Sequence, residues 1–232
     1  MAQRRWRPQL TRDEQRRGLI FFALYFLVFP FLKMGVELFF DHFFGLYLSE
    51  AMSAAVYYYI MAVLTMVVFW SFLKNAALIF RDFPAENLLA MITGLAGGAA
   101  LQWLAHLLPW PLENPNAASW AEQYAFSYGA TILIVVLLMP AIEEVLFRGL
   151  VFGSLRRYSR PLAWAASVGM FMLYSVWTFA VAYGDARYLL LSFQYLPMAL
   201  ALTWCYDRGG SIWSAVALHA AFDAIALFQV VH

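Results

Sequence analysis

The stretch Pro140-Ala141-Ile142-Glu143-Glu144-Val145-Leu146-Phe147-Arg148-Gly149 decides how the chain is read. Two adjacent carboxylates and a guanidinium stand inside an apolar run that extends from Ala125 to Leu155. In a bilayer a central Asp, Lys or Arg costs roughly 2.5–3.5 kcal/mol on insertion scales. Three charges so close together require a polar site inside a helix bundle. Helical residues are about 100° apart, so Glu144 and Arg148 lie about 40° apart and share a face. Glu before a cation at i, i+4 is the favourable order, which makes Arg148 the partner of Glu144. Glu143 points about 100° away from Glu144 and is free to meet another helix. Pro140 suits a first helical turn, so Ala125–Tyr158 is either one long helix or two joined at that proline.

Composition sets the surroundings. The chain has 232 residues, of which 64% are hydrophobic, 19% aromatic and 12% charged. Soluble domains hold about 45–50% apolar and 25% charged residues. The expected fold class is therefore all-α, a polytopic membrane bundle of seven to eight transmembrane helices. A net charge of +1 gives no reason to expect a nucleic-acid partner; the expected partners are membrane lipid and a peptide or protein substrate. The single cysteine, Cys205, excludes an intramolecular disulfide and reads as a small apolar residue.

Outward from the central stretch, the chain divides into a basic arm over 1–17, N-terminal membrane helices over 18–122 and a core over 123–232. Spans are expected at Gly18–Phe40, Ala51–Leu73, Glu86–Leu108, from Gln123 through the glutamates, Pro161–Ala182, Tyr188–Tyr206 and Ser211–Val231. Lys33 and Glu37 in the first are expected to pair. Gly94 and Gly98 in the third form a small-xxx-small pair for close helix packing. His106 at its end reads as structural. Lys74–Asp82 and Pro109–Ala121 read as loops, Pro197 as a kink, and Asp207–Gly210 as a turn. Of the fifteen Lys and Arg, this threading leaves Lys33 and Arg148 in the membrane and Arg187 outside. All the others fall on the inner side, which places the N-terminus in the cytoplasm and the glutamates toward that face.

The last span carries a second polar pair. His219 and Asp223 are i, i+4 and face the same way. In lipid such groups must find each other or water, so the simplest packing sets them across one cavity from the glutamates. There Glu143 can take a proton from water, His219 can donate to an oxyanion or leaving group, and Asp223 can orient His219 or donate itself. Carboxylate and imidazole also suit zinc, but the motif of two histidines four apart with a glutamate between them is absent. Metal-free chemistry without a cofactor ranks higher. Ion pairs that merely rigidify the bundle, or a proton relay in a small transporter, use the same residues.

Pro140-x-x-Glu143-Glu144-x-x-x-Arg148-Gly149, followed by His219-x-x-x-Asp223 on the last helix, resembles the CPBP family of intramembrane proteases. Its best-known members are the type II CAAX prenyl endopeptidases. The flanks Gly149–Gly153 and Asp207–Trp213 agree, and the resemblance covers about Thr131 to Ala226. It implies a membrane-embedded endopeptidase, in a bacterial plasma membrane, with a cavity open to the cytoplasm. Glu143 would be base on the attacking water, Glu144 and Arg148 the supporting pair, and His219 and Asp223 the oxyanion partners. One departure stands out. The family's middle motif, Phe-x-x-x-His, falls on Phe171 and Ser175, so a serine stands where the histidine is expected. Serine can hydrogen-bond water but cannot share its proton at neutral pH. A non-catalytic relative acting as scaffold, immunity or regulatory protein is the rival reading. Catalysis requires Glu143 and His219 in one cavity, about 5–7 Å apart if a water bridges them by two hydrogen bonds.

Overall fold

The computed structural model describes residues 8–47, 49–110 and 112–231, apart from the side chains of Lys33, Met34, Glu37 and Glu50. The expected Lys33–Glu37 pair thus lies outside the described residues, as do Arg4, Arg5 and Arg7 of the basic arm. The described chain is mostly helical, with no strand among the described residues. Its helices are α1 (Arg12–Leu27), α2 (Leu32–Phe44), α3 (Glu50–Val68), α4 (Trp70–Asp82), α5 (Pro84–His106) and α6 (Pro115–Phe126). There follow α7 (Tyr128–Arg156), α8 (Arg160–Tyr174), α9 (Trp177–Tyr183), α10 (Leu196–Gly209) and α11 (Ile212–Val231).

Six helical segments among the described residues are long and apolar enough to cross a bilayer: α3, α5, α7, α8 with α9, the 186–209 segment, and α11. The chain is an all-α, multi-pass membrane bundle. The expected count of seven to eight is not confirmed: the first expected span is broken and is not among these six. Over 18–40 the chain forms α1 and α2 with a 3-10 turn, Phe29–Phe31, between them. Pro30 has no N–H to donate, and its ring crowds the carbonyl four residues back, so a straight helix cannot pass.

Pro140 has the opposite outcome. The run Tyr128–Arg156 is one continuous helix. Its turns widen to π geometry over Leu133–Leu138 and again over Val145–Phe152. The Met139 N–H reaches the Ile134 carbonyl, five residues back. This shift of bonding in the turn before Pro140 lets the helix absorb a residue that would interrupt a regular α-helix.

Three segments expected as loops or turns are helical. The second span ends at Val68, and Phe69 (φ −114°, ψ 26°) turns the chain into α4. Phe72, Leu73 and Ala76 form the buried stripe of α4, while Lys74 and Arg81 face outward. The start of α4 is capped from a distance: Glu14, buried in α1, accepts from the Phe72 N–H at 2.8 Å. The same carboxylate closes a capping box with Thr11. Within the proline-rich 109–121 segment, Asn114 caps α6 and Pro115 occupies its first turn. Helix α10 continues to Gly209, and the turn is Gly210 alone, at φ +81°. Pro197 marks where a 3-10 stretch, Ala186–Tyr195, gives way to the wider turns of α10.

Two devices hold the bundle together. Asp207, its side chain 1% exposed, accepts from Arg156 at 3.0 Å, Arg160 at 2.7 Å and Trp164 at 3.2 Å, which ties the adjoining ends of α7, α8 and α10. Gly94 and Gly98 seat α5 against α10 and α11. A Cβ on Gly98 would fall 2.5 Å from Phe222 and 2.8 Å from the Ala201 Cβ. Cys205 is buried in the same contact, as an apolar filler.

All these ties fix which chain segments share an end. Gln9 donates to the Gly210 carbonyl at 2.8 Å, so the N-terminal arm lies at the Asp207 end. At the opposite end Asn114 donates to Gln194 at 3.0 Å, joining α6 to the start of the 186–209 segment. The arginine-rich ends therefore sit together, as the threading anticipates.

Replacing Gly98 by Ala is expected to lower stability by about 1–3 kcal/mol through overpacking. Gly97→Ala, on a position with nothing within 4 Å, is expected to leave it unchanged. Thermal unfolding in detergent, followed by circular dichroism, compares the two.

Candidate active site

The five residues singled out from the sequence converge. Glu143, Glu144, Arg148, His219 and Asp223 are all buried, none more than 6% exposed. Glu143 stands 15 residues after the start of α7 and 13 before its end, near the middle of the helix.

Glu144 is the hub. Its Oε1 accepts from Arg148 at 2.8 Å, the i, i+4 pair read from the sequence. The same oxygen lies 2.8 Å from His219 Nδ1 on α11. A carboxylate already paired with a guanidinium can only accept, so Nδ1 carries the hydrogen and donates. The imidazole is thereby turned with Nε2 toward Asp223, at 3.4 Å, and toward Glu143, at 3.9 Å. Arg148 also donates to the Ala199 carbonyl at 3.2 Å, which anchors α10 to the hub.

Phe171 closes one side. The Arg148 guanidinium sits 4.3 Å from its ring centroid, and the His219 ring meets it edge-on at 5.7 Å. A desolvated cation over an aromatic face gains about 2 kcal/mol or more. Gly149 serves packing: a Cβ there would lie 2.9 Å from the ring of Phe72.

Glu143, His219 and Asp223 form the floor of a cavity of about 210 Å³. Its walls include Tyr57, Tyr58, Trp120, Tyr174, Ser175, Thr178 and Tyr195. Glu143 and His219 are closer than the 5–7 Å expected for a bridging water. At 3.9 Å no water fits between them, so a water bound to both must sit beside them on the cavity side. Ser175 lines the cavity at the break between α8 and α9, and its hydroxyl donates to the Phe171 carbonyl at 2.9 Å.

Sequence reasoning missed a second polar group in the cavity wall. The Tyr195 hydroxyl accepts from Asn116 at 2.6 Å and from Asn114 at 2.9 Å, and Asn116 also donates to the Ser175 carbonyl at 3.2 Å. The Asn-Pro-Asn run at 114–116, with its cap and first-turn proline, was the available signal. Among the described residues no group of three or more His, Cys, Asp or Glu side chains is arranged to hold a metal ion.

Residues 125–225 match the family model described as Rce1-like, type II CAAX prenyl endopeptidase Rce1-like. This segment is similar to the type II CAAX prenyl endopeptidases. The matched segment nearly coincides with the Thr131–Ala226 stretch of the sequence resemblance and contains all five clustered residues. No curated protein and no solved structure matches the chain. Within the matched segment the Pro-x-x-Glu-Glu-x-x-x-Arg-Gly motif and the His-x-x-x-Asp motif meet at a single oxygen, Glu144 Oε1.

Arg148→Ala would strip Glu144 of its buried counter-charge. A loss of about 3–5 kcal/mol in stability is expected, the usual effect of breaking a buried pair from one side. Detergent-solubilised protein assayed by thermal unfolding and size-exclusion chromatography provides the check.

Proposed function

We propose that the chain is a CAAX-protease-type intramembrane endopeptidase that hydrolyses a peptide bond with a glutamate-activated water. The observation that carries this reading is the placement of Glu143 and His219 side by side on the floor of one cavity, with His219 oriented by Glu144. The proposed setting is a bacterial plasma membrane with the N-terminus in the cytoplasm, where lipid surrounds the bundle.

In the reaction a water on the cavity side of Glu143 gives its proton to that carboxylate as its oxygen attacks the scissile carbonyl. The oxyanion that forms accepts from His219 Nε2–H, in the cationic imidazole, or from a protonated Asp223. Glu143 then passes its proton to the leaving nitrogen, and the C–N bond breaks. Glu144 and Arg148 act through His219, holding its ring. Fixed donors in a site shielded from bulk water contribute more than the same donors in solution.

A second reading is favoured by one observation. Ser175 stands at the position of the family's middle histidine, and its hydroxyl is already committed to a backbone carbonyl. A relative that retains the cluster for rigidity and binds a membrane peptide without cutting it would have this arrangement.

Glu143→Gln keeps the shape of the side chain and removes the base. Peptide cleavage in proteoliposomes, scored by mass spectrometry, is expected to fall by about 10²–10⁴-fold while the protein stays folded. Unchanged cleavage would reject the glutamate mechanism. Ser175→His is expected to raise turnover; a gain in neither rate nor binding would favour the non-catalytic reading.

A further inference from the structure

The cavity wall holds a hydroxyl whose hydrogen has no good partner inside the protein. The Tyr195 oxygen meets the Asn116 amide nitrogen at 2.6 Å and the Asn114 amide nitrogen at 2.9 Å. Backbone partners decide which end of each amide is which. Asn114 Oδ1 caps α6 by accepting the Asn116 N–H at 3.1 Å, so its nitrogen is the atom nearer Tyr195. Asn116 Nδ2 sits 3.2 Å from the Ser175 carbonyl, which can only accept. The phenol oxygen therefore takes two N–H groups, and its own hydrogen must point elsewhere. The acceptor within reach is Asn114 Oδ1, at 3.3 Å. That is long for an O–H···O bond, which falls at about 2.5–3.0 Å, and the cap already uses this oxygen.

Tyr195 and Asn116 line the same cavity as Glu143, His219 and Asp223. Asn116 Nδ2 is committed to Ser175 and Tyr195, while its Oδ1 has no hydrogen-bond partner among the described residues. The wall thus offers one donor, the phenol O–H, beside one acceptor, an amide oxygen. An O–H whose oxygen already accepts two N–H bonds is polarised toward stronger donation. A peptide unit carries the matching pair, one C=O and one N–H, and burying it without partners costs about as much as a lost hydrogen bond.

We infer that Tyr195 and Asn116 form a subsite for one backbone amide of the bound peptide. The Tyr195 O–H donates to its carbonyl, and Asn116 Oδ1 accepts from its N–H. The subsite rests on the proposed binding of a peptide in this cavity, and it serves the cutting and the non-cutting readings alike. It engages main chain rather than side chain, so it sets the register of the peptide over the floor without selecting a residue type. The asparagines and the Ser175 carbonyl touch Tyr195 or one another and hold its hydroxyl in place.

The test reads affinity, which does not depend on turnover. Glu143→Gln protein in lipid nanodiscs is titrated with a fluorescent, prenylated CAAX peptide, and Kd is read by anisotropy. Adding Tyr195→Phe removes the O–H and keeps the ring. It is expected to raise Kd about 2–10-fold, the usual worth of one neutral hydrogen bond. A second arm replaces each peptide carbonyl in turn by a thiocarbonyl, a poorer acceptor. At one position the thioamide is expected to weaken binding by a similar factor, and to add nothing once Tyr195→Phe is present. If Tyr195 only braced α6, its substitution would weaken all the peptides alike. That result, an unchanged Kd, or no binding of the peptide overturns the inference. Cleavage by the Glu143→Gln protein would instead remove the proposed base and leave the affinity comparison standing, so the two failures are distinguishable.

Discussion

One oxygen atom, Glu144 Oε1, joins the halves of the site. Arg148 on its own helix and His219 on α11 both donate to it at 2.8 Å. An isolated carboxylate or guanidinium at this depth would be expelled or neutralised. Paired, each makes the other tolerable, and the imidazole adds a second donor from a distant part of the chain. The rest of the core is arranged to keep that junction dry. Phe171 covers Arg148 and His219 together, while Phe147 packs edge-on against Phe171 at 5.5 Å. The Ala199 carbonyl takes another guanidinium proton and draws α10 in. Helices α7, α8, α10 and α11 are thus bound by one polar contact set, and breaking it would release more than a single pair.

With all three carboxylates ionised, the cluster is not charge-balanced by protein groups alone. Glu143, Glu144 and Asp223 face one guanidinium and one imidazole. Even with the imidazole cationic, one negative charge remains. Dry surroundings would make that residue of charge costly. The structure places the two carboxylates not engaged with Arg148, Glu143 and Asp223, on the cavity floor rather than in the packed core. The division follows: the carboxylate paired with Arg148 is sealed in the core, and the two that face His219 Nε2 line the cavity.

Much of this was legible from the chain because lipid makes polar residues conspicuous. In a run as apolar as Ala125–Leu155, Glu143, Glu144 and Arg148 admit few explanations, and i, i+4 spacing identifies Arg148 as a partner and sets His219 beside Asp223. Two prolines show where such reading fails. Pro30 breaks a helix and Pro140 does not, though both lie in apolar runs. The difference is made by the turn before Pro140, which widens to π geometry, and local sequence carries no clear mark of that. Helix α4 was read as a loop because Lys74, Arg81 and Asp82 masked the buried stripe of Phe72, Leu73 and Ala76. Its capping partner, Glu14, lies 58 residues away, beyond the reach of any local pattern. The bond between Glu144 and His219 was missed for the same reason. Spacing on one helix shows which residues share a face, but the choice among carboxylates across helices is made by packing.

The short distance between Glu143 and His219 also constrains how the site can work. A water held between base and oxyanion donor would need them farther apart than 3.9 Å. In the proposed reaction the water and the scissile carbonyl instead approach from the same side, over the floor, with Glu143 and Nε2 as neighbouring contacts beneath them. The attack geometry is then set by the substrate's own position against the walls. This gives the wall residues a weight that a site with a water trapped between its catalytic groups would not require. Tyr195 is fixed by two asparagines, and Asn116 also holds the Ser175 carbonyl at the helix break, so the wall nearest Ser175 is braced by amide side chains. In the proposed reaction, positioning by such a braced wall does part of what a further ionisable group would do. A serine at position 175 is compatible with catalysis only to the extent that the peptide is held still.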